Sequence, residues 1–145
     1  MNTRRRLMAL AAAIPFVIAA RGLVRARRLA RYQLIVRGIA EGTLTAPASG
    51  LLRLSGAFAG VTPRDEAYSE TRADGRLLIL FPRRYGRGAD LEGYLYCRGG
   101  LRPADYYAVD WGASGVHDHI AVAGRDLLTA TPYAPNWYAI SRRVD

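Results

Sequence analysis

Leu77-Leu78-Ile79-Leu80-Phe81 is the stretch that decides the fold. It is apolar without alternation and bounded by turn residues, the pattern of a strand buried on both faces. Just before it, Asp74-Gly75 forms a hairpin turn, because glycine takes the positive φ that such turns demand. A strand at about 67–72 on the other side of that turn completes an antiparallel pair.

Outward from this hairpin, turn residues recur in clusters at Ala46–Gly50, Thr62-Pro63, Gly86–Gly88, Gly99-Gly100, Gly112–Gly115, Gly124–Asp126 and Pro132–Asn136. They leave no room for long helices, and the runs between them are rich in Leu, Val, Ile, Tyr and Trp. The spacing predicts strands at about 32–37, 51–58, 67–72, 76–82, 92–98, 105–111, 117–123, 127–131 and 136–142. The expected fold class is therefore all-β: a small antiparallel barrel or a two-layer sandwich. It occupies residues 39–145 and is preceded, within residues 1–38, by an N-terminal hydrophobic helix and a basic amphipathic helix.

The charge divides at the same boundary. The chain has 145 residues, a formal net charge of +9 and no lysine, all 21 basic residues being arginine. Nine of these arginines and no acid lie in residues 1–38, so the β domain, with twelve of each sign, carries no net field to draw a polyanion. A single cysteine, Cys97, excludes a disulfide framework and Cys-rich metal modules.

Leu7–Ala20 is an uninterrupted uncharged run, LMALAAAIPFVIAA, preceded by Arg4, Arg5 and Arg6. A basic start followed by an apolar stretch of this length is the pattern of a signal peptide or membrane anchor. Carried on through Val24, the run reaches about 27 Å as a helix, close to the ~30 Å hydrocarbon core of a bilayer. Thr3-Arg4-Arg5-Arg6-Leu7-Met8 resembles the twin-arginine export pattern. Val17-Ile18-Ala19 offers small residues for cleavage, whereas Arg21, Arg25, Arg27 and Arg28 directly after it favour an uncleaved anchor with basic residues held on the cytoplasmic side.

Residues 21–34 read as the basic amphipathic helix. At 100° per residue Leu23, Ala26, Leu29, Ala30 and Leu34 form one stripe, and Arg21, Arg25, Arg27, Arg28 and Arg31 spread over the rest. Two uses fit. The arginines lie against anionic lipid headgroups, or the stripe packs on the β domain.

Site chemistry is sparse. His117 and His119 stand two residues apart on a predicted strand, so both imidazoles share a face and form a candidate metal pair lacking a designated third ligand. Ser114, His117 and Asp110 are too crowded to build a catalytic triad, which is assembled from distant segments. Tyr94, Tyr96, Tyr106, Trp111 and Trp137 are candidates for an aromatic-lined cleft. Arg83-Arg84-Tyr85-Gly86-Arg87-Gly88 and Cys97-Arg98-Gly99-Gly100-Leu101-Arg102 resemble arginine–glycine segments that stack on nucleic-acid bases, although both fall at predicted turns.

These features lead to a membrane-anchored or exported protein of the bacterial envelope, at the inner membrane or, if cleaved, in the periplasm. Its β domain binds or scaffolds without catalysing. Expected partners are anionic lipid headgroups and a small ligand or protein, with no cofactor. A metal-binding protein or metal-dependent hydrolase using His117 and His119 is the second reading, and nucleic-acid binding through the arginine–glycine loops the third.

Overall fold

A computed structural model describes residues 21–142 with their side chains, except Ala89 and the side chain of Leu127. The elements are α1 (Thr3–Ala40), β1 (Ser49–Arg53), β2 (Glu66–Thr71), β3 (Leu77–Tyr85), β4 (Leu91–Cys97), β5 (Tyr106–Asp110), β6 (Val116–Val122), β7 (Arg125–Ala134) and β8 (Trp137–Arg142). The run Leu7–Ala20 and the arginines before it lie outside the described residues.

All eight strands join one antiparallel sheet in the order β1-β2-β3-β4-β8-β7-β6-β5. Two four-stranded meanders are thus joined where β8 pairs with β4, the one hydrogen-bonded strand pairing between distant parts of the chain among the described residues. The sheet curls without closing, and β1 and β5 remain as edges. The antiparallel β fold is as expected, but the sheet does not close as the expected small barrel or two-layer sandwich. Side chains bridge the curl: Arg72 Nη2 donates to the Ala121 carbonyl at 2.8 Å, Ala123 N donates to Glu70 Oε2 at 2.7 Å, and Arg125 Nη2 donates to the Tyr68 hydroxyl at 2.7 Å.

β3 occupies the middle of this arrangement, as its composition demands. Ile79 and Phe81 point to one core with Leu52, Ala67, Tyr94 and Trp137, while Leu78 and Leu80 point to the other with Leu95, Cys97, Ile120 and Leu128. The second core fills the concave side of the curl. Pro82 has no N–H for the ladder and sits at a register shift opposite Gly93. A Cβ on Gly93 would stand 2.2 Å from the Phe81 carbonyl oxygen, so only glycine allows the strands to approach there.

The first core is covered by α1. Residues 32–37, expected as a strand, belong to this helix, which runs on to Ala40. The docking face also differs from the expected stripe: Leu29, Tyr32 and Ile35 are buried, with Val36 and Ile39 packed beside them. Of the expected stripe only Leu29 is buried; Leu23 is 56% exposed, Leu34 is 50% exposed, and Ala26 and Ala30 are exposed as well. Burying a large apolar side chain contributes about 2 kcal/mol, so the three buried residues hold α1 firmly on the sheet.

Candidate functional site

The junction of α1 with the sheet is the best-formed candidate site. Because Leu29 and Tyr32 must face the sheet, the helical period turns Arg25 and Arg28 towards the same side one to two turns earlier. Both meet tyrosines. Arg28 Nη1 donates to the Tyr94 hydroxyl at 3.4 Å, and the Arg25 guanidinium lies 5.3 Å from the Tyr133 ring centroid. Arg31 Nη2 donates to the Gly60 carbonyl at 3.0 Å. Of the five arginines expected at a membrane surface, Arg21 and Arg27 are exposed and have no side-chain partner among the described residues.

Beneath α1 the aromatic residues form a continuous group. Tyr32 lies 5.0 Å from Phe81, 5.7 Å from Tyr94 and 6.3 Å from Trp137, centroid to centroid, and Trp137 lies 5.1 Å from Tyr96. Burial pushes the Tyr32 phenol above its ordinary pKa, so it remains a neutral packing group. The five aromatics expected to share a cleft therefore separate. Tyr94, Tyr96 and Trp137 pack under α1, Tyr106 packs against the second core, and Trp111 stands 51% exposed at the end of the β5–β6 hairpin. Two grooves remain between the helix and the sheet, at different levels along α1. One, of about 410 Å³, is lined by Arg25, Leu29, Gln33, Tyr133 and Trp137; the other, of about 380 Å³, is lined by Val36, Ile39, Leu77, Tyr96 and Arg98.

His117 and His119 do share a face of β6, but each imidazole has a neighbour. The His117 Nε2 atom lies 2.8 Å from the Ser114 carbonyl oxygen. The His119 Nε2 atom accepts from Trp111 Nε1 at 3.3 Å, while its Nδ1 is buried without a hydrogen-bond partner. Among the described residues no group of three His, Cys, Asp or Glu side chains is placed to hold a metal ion.

The first arginine–glycine segment runs from the end of β3 into the β3–β4 connection, and the second from Cys97 at the end of β4 into the β4–β5 connection. The second is tied down by a charge network that sequence reasoning missed. Arg76, after the Asp74-Gly75 turn, donates from Nη1 and Nη2 to the two carboxylate oxygens of Asp105, both at 2.9 Å. It also donates from Nε to Asp74 Oδ2 at 2.8 Å, and from Nη1 to the Gly100 carbonyl at 2.9 Å. Arg72 Nε adds an ion pair to Asp105 at 3.3 Å, and Arg102 N donates to Asp105 Oδ2 at 2.6 Å. Burial alone would raise the Asp105 carboxyl; the hydrogen bonds from Arg76 and Arg102 override it and hold the group below the usual carboxylate range. The only sequence signal was the excess of arginine around two turns, since nothing in the spacing pairs Arg76 with Asp105.

A membrane interface is chemically consistent with α1. Its exposed side carries Leu23, Ala26, Ala30 and Leu34, with Arg27 among them. Among the described residues no helix is long and apolar enough to cross a membrane. The chain matches no protein-family model, no curated protein and no solved structure.

Proposed function

We propose that the chain is a β domain held at a bacterial envelope membrane by its N-terminal segment, with a binding or scaffolding role. It sits at the inner membrane if the segment is retained, or in the periplasm if it is cleaved. The observation that carries this reading is continuity. In sequence the uncharged run Leu7–Ala20 continues directly into residues 21–40 of α1, whose Leu29, Tyr32 and Ile35 are buried in the domain core. A membrane-inserted run would then hold the sheet close to the bilayer, because residues 21–28 form helix rather than a flexible linker. The exposed stripe Leu23, Ala26, Ala30 and Leu34 supports an interfacial position for α1, its apolar side towards acyl chains and Arg21 and Arg27 reaching the headgroups.

The test is compartment and topology. The full chain, fused at its C-terminus to alkaline phosphatase or to green fluorescent protein, is fractionated, and its N-terminus is sequenced. A membrane-bound chain resistant to high-salt and carbonate extraction, or a cleaved chain with an active phosphatase fusion, supports the proposal. Full-length chain recovered in the soluble cytoplasmic fraction refutes it.

A further inference from the structure

Beneath the last turns of α1, Val36 and Ile39 of the helix, Leu77 and Ile79 of β3 and Tyr96 of β4 wall a groove of about 380 Å³. Val36, Ile39, Leu77 and Tyr96 are only partly buried, so the groove leaves apolar surface against water. Its charged residues are Asp74, Arg76 and Arg98.

Two of these three charges already have partners. Asp74 Oδ2 accepts from Arg76 Nε at 2.8 Å and from Arg102 Nη1 at 2.9 Å. Arg76 in turn holds both oxygens of Asp105, which also pairs with Arg72, and Arg72 pairs with Glu70. The network therefore sets three arginines against three carboxylates and closes without net charge. Arg98 stands outside it, exposed and with no ion pair or side-chain hydrogen bond among the described residues. Glu41, the residue after Ala40, does not line the groove. The lining thus carries one uncompensated positive charge.

The fold also aims Arg98 at the groove. Cys97 points into the second core, so the alternation of β4 turns Arg98 to the α1 side, and the register of Leu78 with Cys97 sets it opposite Leu77. The backbone on both sides of it is bound to Asn136: Cys97 N donates to the Asn136 carbonyl at 2.9 Å, and Gly99 N donates to Asn136 Oδ1 at 3.0 Å.

An apolar groove with one free guanidinium on its rim selects an apolar molecule with one negative head. Its volume falls within the roughly 300–1,000 Å³ of small-molecule sites. At roughly 30 Å³ per water-sized group it holds about twelve, the heavy atoms of a ten-carbon carboxylic acid. A guanidinium fork matches a carboxylate through two parallel hydrogen bonds, whereas a cationic head finds no carboxylate in the lining that is not already paired. We propose that this groove binds a medium-chain aliphatic monocarboxylate, its chain against Val36, Ile39, Leu77 and Tyr96 and its carboxylate on Arg98. This ligand is the object of the binding role proposed above and is independent of the domain's place at a membrane.

Photolabelling of the full chain in phosphatidylcholine nanodiscs tests it, with a decanoic acid carrying a diazirine on its chain as the probe. Decanoate, decanol and decyltrimethylammonium are the competitors. Saturable label is expected on residues 36–40 and 77–79, displaced by decanoate and about tenfold less effectively by decanol, which lacks the charge-assisted contact. Arg98→Gln is expected to raise the half-saturating concentration about tenfold, for the same reason. Ala40→Trp, which fills the groove from an exposed position, abolishes the saturable label. Both residues lie outside the two cores, so both variants keep the wild-type melting temperature. Label without saturation, displacement by decyltrimethylammonium as effective as by decanoate, or unchanged affinity in folded Arg98→Gln overturns the proposal. So does saturable label confined to other segments. For a chain that proves soluble the same titration is run in buffer, so the membrane reading can fail while this site stands.

Discussion

Arg76 and Asp105 face each other through two parallel hydrogen bonds of 2.9 Å, deep enough that their side chains are 10% and 3% exposed. The pair joins the β2–β3 turn to the β4–β5 connection, and Arg72 extends it to β6 through the Ala121 carbonyl. It fastens the curl of the sheet at a place where no backbone ladder does so.

Asp105→Asn is expected to destabilise the fold by about 3 kcal/mol, because removing one partner leaves buried guanidinium charge uncompensated. The pH dependence has a definite sign. The folded Asp105 carboxyl is held below its unfolded value of about 3.9, so its stabilisation is present above that pH. It is lost as the pH falls through the depressed folded value. Asp74, held down chiefly by its side-chain hydrogen bond from Arg76, acts in the same direction. Urea midpoints measured from pH 7 to pH 2 should fall less steeply in Asp105→Asn than in the wild type.

Gly93→Ala tests the close approach of β3 and β4. With the new Cβ meeting the Phe81 carbonyl oxygen at 2.2 Å and the Pro82 Cα at 3.1 Å, β3 and β4 must separate at a buried point of the sheet. Loss of the cooperative melting transition, or a destabilisation of at least ~3 kcal/mol, is expected from forced overpacking. Gly88→Ala, in an open turn at φ +61°, serves as the comparison and should cost about 1 kcal/mol. Thermal unfolding followed by circular dichroism distinguishes the two.

Cys97 is fully buried, and burial pushes its thiol above the ordinary pKa; the Arg76 contact lowers it only in part. Thiolate is scarce and inaccessible, so an aromatic disulfide reagent at pH 8 should leave the native chain unlabelled. Addition of urea should release one thiol per chain, at the midpoint of the unfolding transition. Labelling at native conditions faster than unfolding would contradict this placement.

The strands were legible where local pattern and tertiary position agree. Leu77–Phe81 reads as a two-sided strand because both faces of β3 are covered, and Asp74-Gly75 reads as a turn because the Gly75 φ of 84° requires it. Tyr32, Leu34, Ile35 and Val36 misled for the opposite reason. The aromatic Tyr32 and the β-branched Ile35 and Val36 favour a strand locally, yet docking of Tyr32 and Ile35 on the sheet as part of a helix overrides that preference. The error also moved the amphipathic stripe, since a helix stopped at residue 34 hides the Leu29, Tyr32, Ile35, Val36 and Ile39 face. The contacts of β8 with β4 and of Arg76 with Asp105 join residues far apart in sequence, and no periodicity encodes them.

Leu34 and Ile35 are neighbours on α1 with opposite surroundings, and the contrast separates fold from membrane contact. Ile35 is fully buried, so Ile35→Ala is expected to cost 2–5 kcal/mol, roughly, in unfolding free energy. Leu34→Ala should change stability by less than about 0.5 kcal/mol, as exposed positions do. If α1 rests on a bilayer, Leu34 faces it. A fluorophore placed on Leu34→Cys in the full chain, reconstituted into vesicles, should then be quenched by brominated phospholipid. The same label on Asp126→Cys, an exposed position on β7, should not be. The buried native thiol permits such selective labelling. A membrane-bound chain whose Leu34 label escapes quenching would place the exposed stripe of α1 away from lipid, and that stripe would then need a protein partner.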